Sequence, residues 1–445
     1  MHIDTLIHAR WLLPVVPDTV LEHHSLAVQN GKIIDLLPSE QASSRYTATT
    51  TVNCDQHAVL PGLINAHTHA AMNLLKGLAD DLPLMTWLNE HIWPAEQQWL
   101  SEQFVHDGTR LAIAEMLRSG TTTFNDMYLY PEVAANCVRH TGIRAVIGLI
   151  VIDFPTPWAR DADEYLSKGL ALFDELKAET RITAAFAPHA PYTVADAPLR
   201  RVATLAHELS LPVHIHLHET AHEVASAEQQ NGQRPIERLR ELGLLNRNLL
   251  AVHMTQLNDD DINIAADHRI NVVHCPESNL KLASGICPTA ALIEAGINVT
   301  LGTDSSASNN DLDMFSEMRT AALLGKGFSD NAAALPAAKV LEMATINGAR
   351  ALGLENRIGS LEKGKWADVI AVDLAQVETQ PVYDPRSALV YSAARHHVEH
   401  VWVAGKALLT QRQLTTLDSD ELLTRAAGWR EKILGQSPQS KGVSG

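Results

Sequence analysis

The stretch AVLPGLINAHTH, residues 58–69, is apolar almost to its end and closes on two histidines two positions apart. Its hydrophobic residues do not alternate with polar ones. It therefore reads as a strand buried on both faces. Seven later stretches share that character: TTTFNDM (121–127), RAVIGLIV (144–151), RITAAFAPHAP (181–191), LPVHIHLHE (211–219), NLLAVHM (248–254), INVVHCPESN (270–279) and INVTLGTDS (297–305). Between them lie segments such as 101–120 and 196–210, with apolar residues at three- and four-residue intervals, the pattern of amphipathic helices. About eight βα units in series predict an α/β fold, a TIM-like (β/α)8 barrel.

The two ends of the chain read differently. Residues 6–15, 24–38 and 49–55 are short strand-like runs, and QNGK (29–32) is an Asn-Gly hairpin signal between apolar runs. WADVIAVD (366–373) and HVEHVWVAGKALL (397–409) have the same character near the other end. We expect residues 1–60 and 364–430 to pair into a small β-sandwich domain beside a barrel of residues 61–363. Residues 431–445 are expected to form a polar tail.

Lysine and arginine total 35 against 52 acidic residues, a net charge of −17. That balance repels phosphate backbones and anionic lipid, so neither nucleic acid nor a membrane is an expected partner, and small molecules remain. MHIDTLIHARWLLPVV lacks the basic start of a signal peptide, and AVIGLIVI (145–152) is too short to span a bilayer. Four cysteines without CxxC spacing read as free thiols in a reducing cytoplasm.

In such a barrel, chemistry sits at the C-terminal ends of the strands. The first run ends in His67-Thr-His69, the fourth in His189 and the sixth in His253. The fifth carries His214, His216, His218 and Glu219, the seventh His274, and the eighth ends in Thr303-Asp304. Residues i and i+2 share a side of a strand, so His67 and His69 can face the same centre. The same parity groups His214, His216 and His218, of which not all can be ligands; His216 is the central one. Three imidazole nitrogens and the Asp304 carboxylate suit zinc or ferrous iron, with a position left for water.

These features resemble the amidohydrolase superfamily, over nearly the whole chain. Within it, residues 61–96, FAPHAPYTV (186–194), HIHLHET (214–220), VHCPESNLKLASG (273–285) and LGTDSSASNN (301–310) resemble the 5-methylthioadenosine/S-adenosylhomocysteine deaminases. The resemblance implies His67, His69, His216 and Asp304 as metal ligands. Binuclear members bridge their metals with a lysine on the fourth strand, and RITAAFAPHAP has none, which implies one divalent metal, zinc before iron.

The implied reaction is hydrolytic deamination of an adenine nucleoside thioether, giving the inosine derivative and ammonia. Glu219 is the expected proton carrier, a carboxylate beside the metal that can give and take a proton. His253 and Asp304 are expected to orient the attacking water. Glu96 resembles the residue that accepts the ribose hydroxyls, and His189 a substrate-contacting histidine. Trp87 is a candidate apolar wall. A homocysteinyl tail carries a carboxylate and calls for arginine. The position that corresponds, by the resemblance, to the family's arginine is Leu149, and Arg160 is the remaining candidate. This favours 5′-methylthioadenosine over S-adenosylhomocysteine, with adenosine as a further substrate. The alternative is a guanine, 8-oxoguanine, pterin or triazine hydrolase with the same metal shell. A homo-oligomer is the general expectation for such an enzyme, and residues 72–96 are a candidate lid.

Overall fold

The structure, a computed structural model, describes residues 1–435. In chain order the strands are β1 (His2–Leu12), β2 (Leu21–Gln29), β3 (Lys32–Pro38), β4 (Thr47–Pro61), β5 (Leu63–Thr68), β6 (Thr121–Asp126), β7 (Arg144–Val151), β8 (Ile182–Pro188), β9 (Val213–Leu217), β10 (Leu249–His253), β11 (Asn271–His274), β12 (Asn298–Leu301), β13 (Val369–Asp373), β14 (Val398–Val403), β15 (Lys406–Thr410) and β16 (Gln413–Leu414). The eight apolar runs are β5 to β12. They form one parallel sheet in sequence order, with helices in the crossovers. The sheet closes where Thr68 pairs in parallel with Asp304 and the Asp304 amide donates to the His67 carbonyl at 3.1 Å. Closure brings the ends of the first and last strands together, and with them His67, His69 and Asp304.

The chain ends share a single continuous sheet, ordered β16-β15-β14-β13-β4-β1-β2-β3. The QNGK hairpin joins β2 to β3, with Asn30 at φ 51° and Gly31 at φ 74°, the left-handed pair that this tight turn needs. The run 58–69 is not one strand. It divides at Gly62: β4 ends at Pro61 in the terminal sheet, and β5 begins at Leu63 in the barrel. A Cβ on Gly62 would stand 2.1 Å from the Thr122 side chain, so only glycine passes there. A second joint is a buried ion pair, Arg144 on β7 with Asp368 just before β13.

Two expectations need correction. Residues 431–435 are not tail but the last turns of the helix Ser419–Gly435, because Trp429 and Ile433, four apart, are both buried. The remainder of the expected tail, 436–445, lies outside the described residues. Leu149 does not face the barrel interior. It packs against Gly169 in the layer between strands and helices, while Ile150 and Ile152 on the opposite parity line the central cavity. All four cysteines are free and buried. Among the described residues no helix is long and apolar enough to cross a membrane.

Candidate active site

β9 ends at Leu217, and that end separates the three histidines of HIHLHE. His218 takes φ 52° and leaves the strand; its Nδ1 lies 3.0 Å from the Gln256 carbonyl, and its Nε2 accepts from the Ile236 amide. It holds loops together. His214 and His216 share the interior side. His214 lies deeper, with Nε2 2.8 Å from His67 Nδ1, and orients that ring. His216 reaches the centre.

Four donor atoms, from His67, His69, His216 and Asp304, lie within 4.8 Å of one another. His216 Nε2 stands 3.2 Å from His67 Nε2 and 3.3 Å from His69 Nε2, and Asp304 Oδ1 is 3.3 and 3.2 Å from the same two nitrogens. Ligand atoms held about 2.0–2.1 Å from a tetrahedral zinc stand roughly 3.3 Å apart, so the spacing fits a metal shell. The protons fit as well. His69 Nδ1 donates to the Met127 carbonyl and His216 Nδ1 to the His189 carbonyl at 2.7 Å, which leaves Nε2 lone pairs facing inward. Converging lone pairs beside a carboxylate repel unless a cation lies among them. Burial pushes His67 down to about 4 and His216 well below its ordinary value. Burial opposes the Asp304 charge, but the His67 and His69 rings hold its carboxyl well below the usual range.

A cavity of about 570 Å3 opens onto these donors. Glu96, Trp87, His189, Glu219 and His253 all line it, so the barrel brings together every expected site residue except Arg160. Arg160 is 81% exposed, pairs with Glu164 one helical turn on, and is not part of the cavity wall. Glu219 is buried, its pKa is raised by that burial, and its Oε2 lies 3.9 Å from His253 Nε2. Burial also raises Glu96, against the pull of a hydrogen bond from the Tyr128 hydroxyl at 2.5 Å. His189 is lowered to about 3, first by burial and then by its histidine neighbours, so it serves as a neutral ring; its Nδ1 pairs with Thr193 Oγ1 at 2.9 Å. Trp87 is 5% exposed. Among the described residues the wall holds three carboxylates, Glu96, Glu219 and Asp304, and no lysine or arginine.

Sequence reasoning missed several partners. Tyr128 stands two residues past the end of β6, at the barrel face where chemistry gathers, and that position was its only signal. Asp126 Oδ1 accepts from the Ala70 amide at 2.7 Å and from Thr68 Oγ1 at 3.1 Å, which fixes the turn carrying His69. Asp304 Oδ2 accepts from Ser278 and Ser308, and His253 Nδ1 meets Asn279 Oδ1 at 2.8 Å.

A model of the amidohydrolase family matches residues 58–408. The chain is 50% identical over 439 residues to a 5-methylthioadenosine/S-adenosylhomocysteine deaminase of Saccharophagus degradans, covering 98% of each chain. It is 51% identical over 432 residues to a protein of the same name from Teredinibacter turnerae, covering 97% of this chain and 98% of the other. A zinc-bound crystal structure of an adenosine deaminase from Xanthomonas campestris superposes with a TM-score of 0.96 at 52% identity, over 98% of this chain and 99% of that one. An atrazine chlorohydrolase from Arthrobacter aurescens has a TM-score of 0.89 over 96% of this chain and 99% of its own, but 22% identity, and so shares the fold alone.

Proposed function

The chain belongs to the amidohydrolase family and, within it, to the 5-methylthioadenosine/S-adenosylhomocysteine deaminases, and from that premise we propose that it deaminates 5′-methylthioadenosine by hydrolysis through the residues described above. His67, His69, His216 and Asp304 would hold a divalent cation, a single zinc in our reading, and when bound it would supply Lewis acidity that eases the ionisation of water near neutral pH. The zinc-bound relative and the lack of a lysine on β8 support one zinc.

The protein's own groups do the rest. Glu219, whose carboxyl is pushed up by burial, gives a proton to the ring nitrogen beside the attacked carbon and so makes that carbon more electrophilic. His253 Nε2 and Asp304 orient the attacking water. Glu219 then takes the O–H proton of the added water and passes it to the amino group, so the C–N bond breaks, ammonia leaves and the oxygen stays on the ring carbon of the inosine-type product. Glu96 accepts the two ribose hydroxyls, His189 contacts the bound nucleoside as a neutral ring, and Trp87 walls it.

The observation that carries the nucleoside reading is Glu96, a half-buried carboxylate on the same cavity as the metal donors, with Tyr128 as its side-chain donor. A free base such as guanine would bring no sugar hydroxyls to it, and would cover that acceptor without meeting it. The cation-free wall supports methylthioadenosine over S-adenosylhomocysteine, whose carboxylate would meet no counter-charge there. A cytoplasmic homo-oligomer belongs to the same proposal.

The test is ammonia release from methylthioadenosine, S-adenosylhomocysteine, adenosine, guanine and 8-oxoguanine, with wild type and Glu219→Gln. Methylthioadenosine should turn over fastest, and Glu219→Gln should lose about 10²–10⁴-fold in kcat while keeping its metal. Activity confined to the free bases would refute the nucleoside reading and the role given to Glu96.

A further inference from the structure

The motif VHCPESNLK finds no use in the reaction as written, yet its central residues touch two groups that perform it. We propose that Ser278 and Asn279, neighbours on the helix Pro276–Lys281 after β11, are the positioning residues of the site: Ser278 sets the orientation of Asp304, and Asn279 sets the tautomer of His253. The proposal rests on the deaminase reading for its kinetic half alone.

Ser278 Oγ donates to Asp304 Oδ2 at 2.6 Å, and Ser308 Oγ to the same oxygen at 2.7 Å. The other oxygen, Oδ1, faces the Nε2 atoms of His67 and His69. Two hydroxyls therefore occupy Oδ2 and leave Oδ1 for a cation, so Asp304 can ligate through one oxygen only. Asn279 Oδ1 accepts from His253 Nδ1–H at 2.8 Å. That bond leaves the Nε2 lone pair of His253 facing Glu219 and the cavity, able to accept from water. The aim of the ring matters because the backbone turns sharply there: His253 has φ 76° and Met254 φ 51°. Ser278, Asn279 and His253 are 0%, 2% and 1% exposed, so water does not compete for these bonds. Successive helical residues point about 100° apart, which lets one turn of helix serve the end of β10 and the loop after β12 together.

The experiment has two readouts. The first is Zn2+ affinity, by competition with a chromogenic chelator and no substrate present. Ser278→Ala/Ser308→Ala should bind Zn2+ about 10–100-fold more weakly, and Ser278→Thr, which keeps the hydroxyl, should match wild type. The second is steady-state kinetics with methylthioadenosine. Asn279→Leu should lose about 10–100-fold in kcat with KM and Zn2+ affinity within about twofold, and Asn279→Asp, which keeps an acceptor, should recover most of kcat. Should Asn279→Leu not fold, Asn279→Ala is read for the same split. The proposal fails if the double serine variant binds Zn2+ like wild type, if Asn279→Leu keeps wild-type kcat, or if Asn279→Leu and Asn279→Asp are equally impaired. Zn2+ affinity is independent of the substrate, and wild-type turnover of methylthioadenosine decides the deaminase reading separately.

Discussion

Replacing Arg144 with methionine breaks the joint between the two sheets. Arg144 and Asp368 side chains are each 2% exposed. Nε lies 2.6 Å from Oδ2 and Nη2 3.0 Å from Oδ1, and Asp368 Oδ1 also accepts from the Ala404 amide at 2.7 Å. Arg144→Met leaves that carboxylate buried with one backbone donor. Removing one partner of a buried pair costs about 3–5 kcal/mol. With an unfolding entropy near 2.1 cal/mol/K per residue over 445 residues, or about 0.9 kcal/mol/K, Tm should fall by roughly 3–5 °C. The double variant Arg144→Met/Asp368→Leu removes both charges. The Thr180 carbonyl keeps its bond from Arg357 at 2.7 Å, so the new orphan is the Ala404 N–H, at about 1–3 kcal/mol. The double variant should therefore melt between wild type and the single one. Thermal unfolding followed by circular dichroism reads all three. A single variant within about 1 °C of wild type, or a double variant below the single one, refutes the reasoning.

Three further outcomes follow from the site. Tyr128→Phe removes the hydroxyl donor to Glu96, so KM for methylthioadenosine should rise about tenfold with little change in kcat; steady-state kinetics checks it, and an unchanged KM would count against Glu96 as the ribose acceptor. Glu223 accepts from the His218 and Glu219 amides, and burial pushes its carboxyl up to about 8 from 4.5. Between those values the folded state holds a proton that the unfolded state has released. Its contribution is thus largest below pH 4.5 and is lost as pH rises towards 8, by at most about 1.4 kcal/mol per pH unit; Glu223→Gln should flatten that slope in urea titrations across the window. Arg160→Ala should leave the methylthioadenosine to S-adenosylhomocysteine ratio unchanged, because the side chain is solvent-facing and off the cavity wall; a shifted ratio in parallel assays would return it to the site.

The barrel was legible because strands buried on both faces leave unbroken apolar runs, and all eight runs became neighbours in order. The metal donors were legible because histidines at such strand ends have few other reasons to gather. Leu149 misled because its inward or outward parity depends on β7's register against β6 and β8, and composition carries no trace of register. Tyr128, Ser278 and Asn279 were missed because tyrosine, serine and asparagine are common in loops. Nothing local marks the ones that meet a catalytic group.

The sequence by itself determined the element types, their order and a short set of possible ligands, since these follow from local hydrophobic pattern and side-chain chemistry. The resemblance had already singled out His216 from His214, His216 and His218, and only the tertiary structure supplied the physical reason. The end of β9 at Leu217 turns His218 away, depth in the barrel holds His214 behind His67, and His216 alone lies at the height where the closing of β5 on the end of β12 delivers His67, His69 and Asp304. That height is set by strand register and barrel closure, which arise from pairings between residues far apart in the chain.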